Sequence, residues 1–172
     1  MGKRFLELIG LGKRSTYLDE HWTQRNFHAA IYMSVICVAL EIWMLYTLSQ
    51  TIAAAAAAGT PYDLPWILNH GLWYVMLLSM ALVVLAYSIQ FTRGKARGKR
   101  FGSALLVAFS IVCLVFGVHF GHNSYVKGEQ VLAFVTMTLF VFGILVWRPI
   151  VSFVLSVVTF GGQISTTTCA IM

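Results

Sequence analysis

Apolar residues run along this chain in long blocks separated by short polar breaks, and the blocks define the elements it predicts. A helix of about 20 apolar residues crosses a hydrocarbon core of about 30 Å. Four such blocks occupy residues 27–50, 67–91, 101–120 and 130–147. A fifth opens at Ile150 and weakens after Phe160 into Gly161-Gly162-Gln163 and the run Ser165 to Thr168, so residues 150–172 are long enough to cross. The tract Thr51 to Thr60 holds six consecutive alanines, which either prolong the first helix or form a low-complexity loop before Pro61 and Pro65 end it. Arg148-Pro149 turns the chain, with Pro149 suited to a first helical position. Residues 1–26 are polar, but Phe5, Leu8, Ile9 and Leu11 lie beside Lys3-Arg4 and Lys13-Arg14, the pattern of an interfacial amphipathic helix. The fold class is therefore all-α, a polytopic membrane bundle of about five transmembrane helices, four of them clearly delimited. Residues 1–26 form its amphipathic N-terminal segment and residues 27–172 its transmembrane domain.

Composition agrees. Hydrophobic residues make up 59% of the 172 and charged residues 10%, against about 25% charged in soluble domains. Cys37, Cys113 and Cys169 each stand alone in apolar sequence and read as small buried residues, not as a disulfide framework.

Charge sets the expected orientation. Of the 12 Lys and Arg residues, Lys3, Arg4, Lys13, Arg14 and Arg25 precede the first block, and Arg93, Lys95, Arg97, Lys99 and Arg100 fill the second break. Arg148 follows the fourth block, and Lys127 alone falls on the other side. Lys/Arg-rich short loops stay cytoplasmic, which places the N-terminus on the cytoplasmic side of the membrane. The basic loop 93–100 is a topology determinant that also attracts anionic lipids. The net charge of +6 is thereby accounted for without nucleic acid. Aromatic belts follow the same frame: Trp22, Phe91, Phe101 and Trp147 at the inner edge, Tyr46, Tyr62, Trp66, Trp73 and Tyr125 toward the outer one.

Glu41 is the costliest residue, a carboxyl group inside the first block. Such a group costs about 2.5–3.5 kcal/mol on insertion scales and faces the bundle interior. Helical spacing places Ser34, Cys37, Glu41, Met44 and Leu48 on one stripe, with Val35, Ile36 and Leu40 mainly off it. Glu41 then serves either as interhelical glue, protonated or hydrogen-bonded, or as part of a ligand-sensing, proton-linked or transport site. A second constellation lies at the outer face: His70 opens the second block, His119 and His122 close the third, and Asp63 and Glu129 fall in the same zone. These groups fit interfacial hydrogen bonding, titration with external pH, or a divalent ion. No metal-ligand motif fixes the last, so no metal or cofactor is expected. Ser103, Ser110, Cys113, Gly117 and Gly121 form a small-residue stripe, and Gly117 to Gly121 is a GxxxG pattern that lets helices pack closely. The chain carries no catalytic residue set. Its end, Cys169-Ala170-Ile171-Met172, matches a prenylation pattern but lacks the upstream basic spacer.

Three stretches are similar to a known family. FLELIGLGKRS near the start, IYMSVICVALEIWML in the first block, and KGEQVLAFVTMTLFVFGILVWRPIVSFVL near the end resemble the N-terminal multi-span regions of membrane-bound GGDEF proteins from clostridia-like Firmicutes. The resemblance spans Phe5 to about Leu155. Its marks are Glu41 before Ile42-Trp43-Met44, Gly128-Glu129-Gln130, and Trp147-Arg148-Pro149. In that family about six helices precede a diguanylate cyclase domain that makes cyclic di-GMP, and no GG[DE]EF occurs in this sequence. The resemblance implies a transmembrane sensor or anchor region, truncated at its C-terminus, that acts as a homodimer and responds to an unidentified small ligand. The alternative is a stand-alone small membrane protein or transporter fragment with Glu41 on a polar pathway.

Overall fold

The computed structural model describes residues 16–59, 63–95, 98–126, 132–145 and 152–161. Five helices make up these residues: α1 (Thr16–Ala58), α2 (Leu64–Thr92), α3 (Lys99–Val126), α4 (Leu132–Ile144) and α5 (Ser152–Gly161). No strand occurs among the described residues. Three helices are long and apolar enough to cross a membrane, over His21–Ala58, Leu64–Thr92 and Arg100–Gly121.

α1 joins two segments that the sequence pattern separates. Its 43 residues rise about 64 Å at 1.5 Å each, twice a hydrocarbon core. The helix takes in residues 16–26, which were expected to belong to a separate interfacial segment, because nothing between Thr16 and Phe27 breaks it. The alanine tract prolongs the helix, as one of the two expected alternatives had it. α1 then stops at Gly59, whose φ of 63° is left-handed backbone that glycine adopts without a Cβ penalty.

α2 begins on a cap. The Asp63 carboxylate accepts a hydrogen bond from the Trp66 backbone N–H at 3.2 Å, and Pro65 occupies the first turn, where its missing N–H costs nothing. Asp63→Ala is expected to cost about 1 kcal/mol and to speed amide exchange through the first turn of α2 selectively. The other end of α2 closes with a Schellman motif. Gly94 has φ 71°, its N–H bonds Phe91 O at 3.0 Å, and Lys95 N–H bonds Gln90 O at 2.9 Å. That motif turns the chain within the basic loop: Arg93, Lys95 and Arg100 are solvent-exposed. Arg97 and the Lys99 side chain lie outside the described residues.

α1 and α2 form an antiparallel pair. The buried positions of α2 are His70, Tyr74, Leu77, Ala81, Val84 and Ser88, spaced alternately four and three apart. Those of α1 include Phe27, Ala30, Ser34, Cys37 and Glu41, spaced three and four apart. Two such seams pack along their whole length with a shallow crossing. Phe27 meets Phe91 with ring centroids 4.1 Å apart, while toward the other end Leu48 approaches Gly71. α1 packs chiefly on α2, α3 chiefly on α4, and α2 against α3 joins the pairs.

The remaining surface is apolar. Tyr32, Val35, Ile36, Leu40, Ile42 and Trp43 on α1, and Leu68, Leu72, Val75, Leu82 and Val83 on α2, are all exposed. Apolar patches of this extent are rare on soluble monomers but ordinary for helices in contact with lipid. Hydroxyls on these helices bond back to their own backbone, as Thr47 does to Met44 O (2.8 Å), Thr51 to Thr47 O (3.0 Å) and Ser79 to Met76 O (2.9 Å). That local pairing lets polar side chains sit where no water reaches.

Of the two last expected spans, the described residues include α4 and α5. The 13 residues of α4 cover about 20 Å and those of α5 about 15 Å, less than the thickness of a core. The rest of both expected spans falls largely outside the described residues.

Candidate functional site

Glu41 is 3% exposed and points into the bundle. Ser34, Cys37 and Glu41 are buried on one face of α1, and Val35, Ile36 and Leu40 lie off it, in agreement with the helical spacing. Met44 departs from the expected stripe. It is exposed, and Leu45 packs against the core in its place, because the real seam steps by four from Glu41 and not by three.

The surroundings of Glu41 come from two other helices. The Tyr74 phenol on α2 and the Cys113 thiol on α3 both lie within its electrostatic reach. Cys37 lies one turn before Glu41 on α1. Both cysteines are free and buried; Cys169 lies outside the described residues. Tyr74 in turn packs on Phe116 at 6.2 Å and stacks on Phe120 at 5.3 Å. Glu41 Oε2 is buried without a hydrogen-bond partner among the described residues. Ser34, Ser88 and Thr138 also carry unpaired hydroxyls. For these, rotation about χ1 offers a carbonyl of the preceding turn. A carboxylate oxygen only accepts, and a helix interior has no free N–H to give it. The unpaired Oε2 of Glu41 is thus costly to bury.

The outer constellation assembles only in part. His70 and His119 reach the same end of α2 and α3, and the Phe120 ring makes an edge contact with each, 5.2 Å from His70 and 5.3 Å from His119. His70 is buried, donates from Nδ1 to the Trp66 carbonyl at 2.9 Å and packs on the Trp66 ring at 4.0 Å. His119 stacks on Trp73 at 4.6 Å and accepts at Nε2 from Asn69 Nδ2 at 3.3 Å. Each imidazole has its own aromatic partner. Among the described residues no group of three or more His, Cys, Asp or Glu could hold a metal ion. Glu129 and the His122 side chain lie outside the described residues. Asp63 serves as the α2 cap.

On α3 the small-residue stripe is buried at Ser110, Cys113, Gly117 and Gly121, whereas Ser103 is exposed and Gly102 takes its buried place. A Cβ on Gly102 would overlap the Phe27 ring and approach Tyr87 Cε1 to 2.8 Å. Sequence spacing gave no hint of this contact, since it joins three helices. Tyr87 also donates its hydroxyl to Gly98 O at 2.8 Å, which ties α2 to the start of α3.

The described residues form helices joined by turns, and three of those helices are of membrane-crossing length. Comparison with protein-family models, with curated proteins and with solved structures gives no match.

Proposed function

We propose that the chain is the membrane-embedded input region of a signalling protein, and that Glu41 is the group through which the bundle responds. The observation that carries this reading is the buried, unpartnered Glu41 Oε2 at the junction of α1, α2 and α3. A carboxyl used only as glue would share its hydrogen bonds across helices. One kept buried without a partner opposes folding, as groups retained for function commonly do. A change in its protonation or bonding alters the packing of three helices at once, and so biases two arrangements of the bundle.

In this proposal the helices cross a bacterial cytoplasmic membrane with the N-terminus and the basic loop 93–100 inside, facing anionic lipids. The output is the diguanylate cyclase domain implied by the family resemblance, brought together in a homodimer. The coding sequence beyond codon 172 tests that part: a continuing frame with a GG[DE]EF motif supports it, and a stop codon in intact genomic sequence removes it.

The role of Glu41 is tested on the chain in lipid bilayers. Infrared difference spectra across pH should show a carboxyl band that titrates and is missing in Glu41→Gln, with amide exchange in α1 and α2 changing over the same range. A Glu41 band that never changes, or exchange identical in the variant, would make the residue structural.

A further inference from the structure

We propose that His119, Trp73 and Asn69 form a pH-operated clamp, which tightens α2 against α3 when the His119 imidazole takes a proton. The three side chains meet at the end of the two helices remote from the basic loop. The imidazole stacks on the Trp73 indole with ring centroids 4.6 Å apart and planes 24° apart, and its Nε2 lies 3.3 Å from Asn69 Nδ2. Asn69 and Trp73 are one turn apart on α2, so they share a face of that helix. A single ring on α3 is thereby held at two points of its neighbour. His119 and Trp73 are half-buried, and Asn69 is exposed.

Imidazole is the side chain whose charge ordinarily changes between pH 5 and 8, and both contacts respond to that change in the same direction. In the neutral ring Nε2 accepts from the Asn69 amide. In the protonated ring Nε2–H donates; the exposed Asn69 amide turns over and accepts through Oδ1. The bond therefore persists and becomes charge-assisted, the stronger kind. Over the ring face, a cation within about 6 Å of an indole is attracted by its quadrupole. The opposing cost is desolvation of the new charge. It is limited here, because His119 is half-exposed in the last turn of an apolar stretch that ends at Gly121. The protonated ring thus grips α2 more firmly than the neutral one.

The described neighbours leave His119 as the group that switches. α3 packs on α4, on α2 and more lightly on α1. α4 carries no titratable side chain. From Glu41 onward α1 carries only Glu41 itself and Tyr46. At this end α2 carries Asp63, bonded in the helix cap, Tyr74, stacked on Phe120, and His70, packed on Trp66. On α3 itself Cys113 lies six positions earlier; the side chains of His122 and Tyr125, with Lys127 and Glu129, fall outside the described residues. Because the α2–α3 contact joins the α1–α2 pair to the α3–α4 pair, the clamp acts on the joint of the bundle. It stands apart from Glu41 and does not depend on the signalling proposal.

The test compares unfolding midpoints of the full chain and His119→Gln in mild detergent at pH 8 and pH 5. Glutamine retains hydrogen bonding without a charge, and subtracting its midpoint removes the titration of every other group. The lead of the native chain over His119→Gln should grow by about 2–4 °C on acidification, and the growth should shrink by half or more when both proteins carry Trp73→Leu. A constant lead, or one that narrows in acid, would overturn the clamp. A second readout needs no change at the site. An imidazolium stacked on an indole quenches it by accepting an electron from the excited ring. A chain that keeps Trp73 alone, with Trp22, Trp43, Trp66 and Trp147 changed to Phe, should therefore dim in lipid vesicles as pH falls from 8 to 5. The dimming should vanish with His119→Gln, and emission that never changes with pH would refute protonation of the stacked ring. Glu41→Gln should leave both readouts in place, so failure of the clamp and failure of the Glu41 proposal are told apart.

Discussion

Glu41→Leu is expected to stabilise the bundle by about 1–3 kcal/mol, the cost of holding an unsatisfied buried polar group. Leucine fills a similar volume on the α1 seam between Cys37 and Leu45 and brings no acceptor that needs a donor. Exchanging buried ionisable groups for apolar residues is often neutral or favourable for the same reason. The measurement is the unfolding midpoint of the chain in mild detergent, for Glu41→Leu beside Glu41→Gln. Glutamine keeps the polarity and introduces an N–H₂ donor, so it should gain less than leucine. The stabilised Glu41→Leu chain should also lose the pH-dependent change in amide exchange. Stability gained and response lost together are what a functional carboxyl predicts. Destabilisation by leucine would mean that Glu41 is bonded in the folded bundle and acts as glue.

The burial of Glu41 was legible because it depends on a local period. Ser34, Cys37 and Glu41 recur at helical spacing, and a carboxyl inside an apolar block has one affordable direction to face. The alternation of blocks and breaks likewise marked α2 and α3 to within a few residues at most ends. Three features were not legible, each for a physical reason. The 16–58 helix runs through the polar-to-apolar boundary near residue 26 because helix propagation needs only the absence of a breaker, whereas composition there changes sharply. His70 and His119 lie at one end of α2 and α3, but each packs on a tryptophan of α2, Trp66 and Trp73, and sequence spacing carries no information on the rotation of one helix against another. The closure of Gly102 on Phe27 has the same origin: two residues 75 positions apart become neighbours only when α1 meets α3.

Gly102 and Phe27 illustrate that last point and carry the other large expectation. Phe27 is fully buried, lies 4.1 Å from the Phe91 ring and 5.9 Å from that of Tyr87, and fills the space left by the missing side chain of Gly102. Within lipid the drive to leave water is absent, so packing and cavity terms dominate the cost of removing the ring. Phe27→Ala is accordingly expected to destabilise by about 2–4 kcal/mol, somewhat below the soluble-core range for deleting an aromatic ring. Gly102→Ala is the opposite insult, an added methyl driven into the same ring, with an expected cost of about 1–3 kcal/mol. The two should not add. In the double variant the new methyl occupies part of the cavity left by Phe27, so the combined loss should fall short of the summed single losses by about 0.5–3 kcal/mol. A thermodynamic cycle on the four proteins in one detergent measures that difference. Strict additivity would mean that Gly102 does not bear on Phe27. Coupling of the expected sign would show that α1 and α3 close directly on each other at the end where α2 finishes.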